Sequence, residues 1–156
     1  MQALGFCDSP SLLTLYAHRG NGTKRWFSLV DGEPVEAREA IVCYIKAIEF
    51  PEVERRNKEC RKLHIKIKAH RSILIESGYN SNFSKGFLLA IASLTPEQLK
   101  QQITIEADPG KEESVLFCKI WLAGQRIFVK TESVHDWRAI AEKAIANVRA
   151  AQGVRA

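Results

Sequence analysis

A mainly β domain with added helices is the fold class the sequence predicts. It has five strands coiled as a Greek-key barrel, a helix between the third and the fourth, a hairpin in front and a helix behind. Three observations predict it. Residues 55–71, RRNKECRKLHIKIKAHR, end in alternation, with Leu63, Ile65 and Ile67 apolar and Lys62, His64, Lys66 and Lys68 polar. Successive side chains of a strand point to opposite faces, so the first set faces a core and the second faces out. From Phe83 the apolar period changes from two to about 3.6, with Phe83, Phe87, Ile91 and Leu94 on one helical face and Ala90 beside them. Strand patterns then resume in ITIE (residues 103–106) and SVLFCKIWL (114–122), which brackets the helix with strands.

The elements follow in order. Residues 11–19, SLLTLYAHR, read as a short strand, Gly20-Asn21-Gly22 as a turn with positive backbone angles, and residues 24–30, KRWFSLV, as the hairpin partner, ended by Asp31-Gly32-Glu33-Pro34. Residues 40–50, AIVCYIKAIEF, are rich in β-branched and aromatic residues and apolar on both faces, as expected of a long curved strand in a barrel. Residues 51–59 read as a charged loop, 61–70 as the basic strand, 72–77 as the next strand and 78–82 as a turn. After the helix, Thr95 is a good N-cap, Pro96 suits the first helical position and Gln98 closes a capping box.

Residues 108–111, DPGK, read as a turn, and 126–130, RIFVK, as a strand following Ala123-Gly124. The last helix is expected to start at Ser133 as N-cap, with Asp136 at its third position. Its apolar stripe is Val134, Trp137, Ala141, Ala144, Ile145 and Val148, and Gly153 lies just past its end. Three strands, a helix and two strands (40–50, 61–70, 72–77, 103–106, 114–122) is the order of the five-stranded OB barrel. An α+β sandwich with both helices on one face of an antiparallel sheet is the alternative. On the barrel reading, residues 1–39 form an N-terminal hairpin packed on the barrel, 40–130 the barrel, and 131–156 a C-terminal helix with a frayed tail, one structural domain overall.

The 156 residues, 46% hydrophobic and 26% charged, have the composition of a soluble globular protein, and a formal net charge of +5 suits an acidic partner. No apolar run approaches the roughly 20 residues of a transmembrane helix, so no membrane association is expected. The first residues have neither a basic leader nor a long apolar stretch, which argues against a secretory signal. Cys7, Cys43, Cys60 and Cys118 are scattered without a CxxC, and Cys43 and Cys118 lie in apolar strand contexts. A cytoplasmic, reducing location with no structural metal and no cofactor fits that usage.

Eight Lys or Arg residues stand against the single acid Glu59 in residues 55–71. A row of cations on a rigid strand suits a polyanion, and single-strand binders add aromatic faces on which bases stack. The candidate interface is Lys62, His64, Lys66, Lys68 and Arg71, joined by Tyr44 with Lys46 on one strand and Trp121 with Lys119 on another. Trp26 with Arg25, and Tyr79, complete it. Phe117 and Trp121 also read as barrel core, since large aromatics bury most of their surface. No nucleotide-binding glycine loop, P-loop, GxSxG or HExxH is present, so no enzyme is expected. A metal-dependent nuclease, built on Glu76, Glu106 and Asp108 with Lys66 or Lys68 near, is the enzymatic alternative.

The stretches AIVCYIKAIEF, KLHIKIKAH, GYNSNFSKGFLLAIASL and VLFCKIWLAGQRI, over residues 40–127, resemble in their order the OB-fold single-stranded nucleic-acid-binding proteins. The likeness is to small accessory members of phage or mobile-element type, and it is one of element pattern. That resemblance implies a groove on the second and third strands, bordered by the loops 54–58 and 108–113. It implies a non-enzymatic binder of single strands, DNA in preference to RNA. Asp108, Glu112 and Glu113 make the second loop acidic, a departure that would repel phosphates. That loop, or the C-terminal helix, is then a place for a protein partner or a second copy. A docking subunit using the same barrel is the rival reading.

Overall fold

Turn chemistry and alternation mark out the strands, and pairing between distant segments sets their order. The computed structural model describes residues 3–19, 22–55 and 57–153. Its elements are β1 (Leu13–Tyr16), β2 (Phe27–Val30), β3 (Glu33–Glu36), β4 (Ala40–Glu49), β5 (Glu52–Arg55), β6 (Lys58–Lys68), β7 (Ser72–Gly78), α1 (Asn82–Ser93), the single turn α2 (Pro96–Leu99), β8 (Ile103–Pro109), β9 (Leu116–Leu122), the short β10 (Gln125–Arg126) and α3 (Trp137–Ala151). The sheet runs β10-β9-β8-β4-β6-β7-β1-β2-β3, with β5 added on β6. The fold is thus mainly β with a few helices.

β4 is the pivot. Its first half pairs with β8, from Ala40↔Glu106 to Cys43↔Ile103, and its second half with β6, from Tyr44↔Lys68 to Glu49↔His64. The register shifts between Ile45 and Ala47, and a bulge of this kind bends a strand and increases its twist. Contrary to the expectation of two apolar faces, only one face of β4 is buried: Cys43, Ile45 and Ile48 point in, while Val42, Tyr44 and Lys46 stay exposed. The outer face is open because both helices pack on the inner one.

α1 covers that inner face. Phe83, Phe87 and Ile91 are fully buried with Ala90 and Leu94, the stripe the 3.6 period predicts. Ser81 caps the helix by accepting from the Ser84 N–H. Gly86 lets the helix lie close to β9, since a Cβ there would stand 3.0 Å from the Cys118 carbonyl oxygen. α2 carries the capping box as expected, Thr95 and Gln98 each bonding the other's backbone N–H. α3 packs on α1 and β4. Its Asn147 side-chain amide donates to the Leu94 carbonyl at 2.8 Å and, more weakly, to those of Ile91 and Ala92, which closes the C-terminus of α1.

The barrel is not closed. Among the described residues the ladder ends at β10 on one side and β3 on the other. The outer partner of β7 is β1, in parallel, from Leu13↔Ile73 to Tyr16↔Glu76. The chain after β1 then crosses to the β8–β9 turn. The Ala17 N–H donates to the Glu76 carbonyl at 2.8 Å, Arg19 Nη1 donates to the Gly110 and Glu112 carbonyls at 3.1 and 2.8 Å, and Arg25 Nε donates to the Ala107 carbonyl at 3.2 Å. The N-terminal segment therefore links β7 to β8 and the β8–β9 turn.

Several local expectations are corrected. The hairpin of 11–19 with 24–30 is reduced to one registered pair, Tyr16↔Phe27, because β2 turns instead onto β3 through Asp31-Gly32, both at positive φ (51° and 80°). Gly20 and Asn21 of the expected turn, and the last three residues of the expected tail, lie outside the described residues. The charged loop 51–59 is the β5–β6 hairpin, with Asn57 at φ 62° in its turn. β8 continues to Pro109 before turning, and 127–130 are not strand. Asp136, not Ser133, caps α3 by accepting from the Ala139 N–H; Ser133 belongs to the 3-10 turn Thr131–Ser133.

The cysteines divide by burial. Cys43 and Cys118 are buried, and burial pushes the Cys43 thiol up to about 12 and the Cys118 thiol well above its ordinary value. Cys7 is exposed and Cys60 partly so. The thiolate is the reactive form, so a disulfide reagent at mildly alkaline pH is expected to titrate Cys7 and Cys60 in the native protein. Cys43 and Cys118 are expected to react only after denaturant is added. Four fast thiols in the folded protein would contradict this packing.

Candidate nucleic-acid interface

β6 carries its cations as the alternation predicts. Leu63, Ile65 and Ile67 are buried, and Lys62, His64, Lys66 and Lys68 share the outer face. The neighbours across the ladder decide what each of them is free to do. Lys66 reaches Glu49, Nζ to Oε1 at 3.1 Å. His64 donates from Nε2 to Glu76 Oε1 at 2.9 Å, a carboxylate being able only to accept. Lys62 and Lys68 form no ion pair among the described residues. Lys68 stands opposite the exposed Tyr44, whose ring lies under the Lys46 ammonium at 5.6 Å. One end of the face thus holds an aromatic ring with two cations beside it, the mixed arrangement expected for Tyr44 and Lys46.

At the other end the face hollows into a cleft of about 720 Å³. One wall comes from the β5–β6 hairpin: Arg55, Lys58, Cys60 and Lys62. The opposite wall is Tyr16 and His18 with Phe27 and Leu29. The Tyr16 and Phe27 rings stack at 5.5 Å between centroids, and His18 stands edge-on to Phe27 at 5.1 Å. Glu76, with its side chain 6% exposed, lines the cleft and is held by Arg55, whose Nη2 donates to both of its carboxylate oxygens at 2.9 and 3.2 Å. A cationic wall and an aromatic one therefore line the same cleft, with a buried carboxylate between them.

The remaining expected residues are dispersed. Trp26 is not available for stacking: it is 1% exposed, tilted against Phe83 at 6.0 Å, and donates from Nε1 to the Arg38 carbonyl. Arg25 is engaged by the Ala107 carbonyl and lies 3.9 Å from Glu39. Arg71 Nη2 donates to Ser11, tying the N-terminal segment to the end of β6. Tyr79 is partly exposed, edge-on to Phe50 and under the Arg61 guanidinium at 5.7 Å, beyond the cleft.

Phe117, Lys119 and Trp121 all point outward, because Leu116, Cys118 and Ile120 are the inward residues of β9, so neither Phe117 nor Trp121 is core. Lys119 pairs with Asp108 at 3.1 Å and the Trp121 indole donates to Glu106 at 2.9 Å, so on this second face the two acids Glu106 and Asp108 stand against the one cation Lys119. Glu106 and Asp108 are thereby occupied on β8, while Glu76 is occupied on β7. The structure does not gather the three, and no group of three metal-ligating side chains stands together among the described residues.

Sequence reasoning passed over Tyr16 and His18, and placed Arg55 and Lys58 only in the loop 54–58 that borders the groove. A signal for the first pair existed: in LTLYAHR, Thr14, Tyr16 and His18 alternate with the buried Leu15 and Ala17. The pairing of Arg55 with Glu76 gave none, because the two are 21 residues apart. Comparison of the chain with family models, with curated proteins and with solved structures finds no match. No helix among the described residues is long and apolar enough to cross a membrane.

Proposed function

We propose that this protein binds single-stranded nucleic acid, without chemical action on it, along the outer face of β4, β6, β7 and β1. The observation that carries the reading is the cleft in which Arg55, Lys58 and Lys62 face Tyr16 and His18, continued along the sheet by Lys68, Tyr44 and Lys46. Cations that follow phosphates and rings that stack on bases are the two requirements of a single-strand site. The strand order β9-β8-β4-β6-β7 supports an OB-like reading, with the N-terminal segment standing in for barrel closure. On that reading the cleft lies where the second and third strands and the loop between the first and second meet. The acidic β8–β9 face keeps the phosphates to the other side.

The test is an anisotropy titration with single-stranded DNA, single-stranded RNA and duplex at about 50 and about 200 mM salt. Salt-sensitive binding to a single strand in preference to duplex is expected. Replacing Lys62 and Lys68 together with Ala is expected to lower the magnitude of the salt slope by about 1.4, at roughly 0.7 for each lost phosphate contact. Both side chains point out, so the double variant is expected to keep its melting temperature. An unchanged slope in the folded variant would remove β6 from the interface. A docking module is the second reading, favoured by the exposed Leu29, Val30 and Val35 on the β2–β3 hairpin; absence of binding to every single strand at low salt would leave that one standing.

A further inference from the structure

We infer that the cleft between the β5–β6 hairpin and β1 receives one base of the bound strand, and that Glu76 selects a base bearing an exocyclic amino group (cytosine, adenine or guanine) over thymine or uracil. This rests on reading the outer face as a single-strand site. A volume of about 720 Å³ accommodates one nucleotide with room for solvent. The two walls divide the ligand by chemistry. Tyr16, braced from behind by its stack on the buried Phe27, offers a ring to a base, with His18 beside it. Arg55, Lys58 and Lys62 face it at the phosphate side.

The selecting step follows from counting acceptors on Glu76. A carboxylate has about four lone-pair directions. Oε1 takes donors from Arg55 and His64, and Oε2 takes one from Arg55. One acceptor direction on Oε2 is left, on a buried carboxylate that lines the cleft. An amino N–H supplies the missing donor. Thymine and uracil present carbonyl oxygens at the positions flanking their single imino N–H, and a carbonyl against a carboxylate sets two acceptors together with no proton between them. Arg55 and His64 hold the carboxylate in place, so it cannot turn away from the wrong base. Arg55 therefore acts as a positioning residue as well as a cationic wall.

The experiment compares oligodeoxycytidylate with oligothymidylate of equal length at neutral pH and one salt concentration, so that phosphate contacts are matched and only the base differs. The wild-type protein is expected to prefer the cytidylate by about ten-fold or more, the size of a hydrogen bond to a charged acceptor. Glu76→Gln keeps an acceptor oxygen but adds an amide donor that suits the thymine carbonyl, and is expected to cut the preference to about two-fold or less with the salt slope unchanged. Tyr16→Leu leaves Glu76 in place and is expected to weaken both oligonucleotides by about five-fold or more. Equal binding of the two by wild type overturns the base selection while leaving single-strand binding intact. A preference that survives Glu76→Gln removes Glu76 as its source, and unchanged affinity in Tyr16→Leu removes the cleft. Binding of neither oligonucleotide at low salt overturns the functional reading and the inference with it. Should Glu76→Gln fail to fold, equal binding of the two oligonucleotides by the wild type, or unchanged affinity in Tyr16→Leu, still overturns the inference.

Discussion

Phe87→Ala is expected to destabilise the protein by about 3–5 kcal/mol, the range for truncating a fully buried aromatic ring. The ring has no exposed surface and stands in the centre of the α1 stripe, between Phe83 and Ile91. The cost combines lost apolar transfer with a cavity that cannot collapse, since α1 is held on β9 at the Gly86 contact and on α3 by Asn147. At about 2–4 °C per kcal/mol for a chain of this size, the melting temperature is expected to fall by roughly 6–20 °C. Single-strand affinity measured well below the new midpoint is expected to be unchanged, because α1 lies on the inner face and the cleft on the outer. Differential scanning calorimetry checks the first outcome and anisotropy the second. A normal melting curve would mean that α1 does not hold the core together.

Trp26→Ala carries a similar expected cost, about 3–5 kcal/mol, for a different reason. Trp26 anchors the segment that bridges β7 and the β8–β9 turn: its ring packs on Phe83 and its indole N–H satisfies the Arg38 carbonyl. Removing it takes away buried area and leaves that carbonyl without its donor. The neighbouring Arg19 and Arg25 contacts to the Gly110, Glu112 and Ala107 carbonyls are expected to loosen with it, visible as faster amide exchange at Ala17, whose N–H bonds the Glu76 carbonyl. The milder Trp26→Phe is expected to keep single-strand binding and its salt slope. Loss of binding in a folded Trp26→Phe protein would return this residue to the interface, against its burial in the core.

What could be read from the sequence, and what could not, follows a single division. Alternation in KLHIKIK and the 3.6 period from Phe83 to Leu94 are local patterns, and each placed its residues on the faces they occupy. The same logic failed where the deciding partner was remote. The charged segment 51–59 shows no apolar face, yet it pairs as the β5–β6 hairpin because β6 continues beyond the core and carries β5 with it. Trp26 sits beside Lys24 and Arg25 and reads as a stacking residue; α1, more than fifty residues later, covers it. On β9 the alternation was plain, but its phase was not: Phe117 and Trp121 look like core until Leu116, Cys118 and Ile120 are seen to point inward.

The sequence by itself determined the β-rich class, the core stripe of α1, the basic outer row of β6 and the buried state of Cys43 and Cys118. Each depends on side-chain periodicity, which a folded element must honour by burying one face. Only the tertiary structure decided that β1 pairs in parallel with β7, that the sheet does not close into a barrel, and that Arg55, His64 and Glu76 meet under an aromatic wall. Those outcomes turn on which distant edge offers unpaired backbone groups and which buried carboxylate needs a cation. Burying either without a partner costs several kcal/mol, and that cost acts between segments that nothing in the local sequence connects.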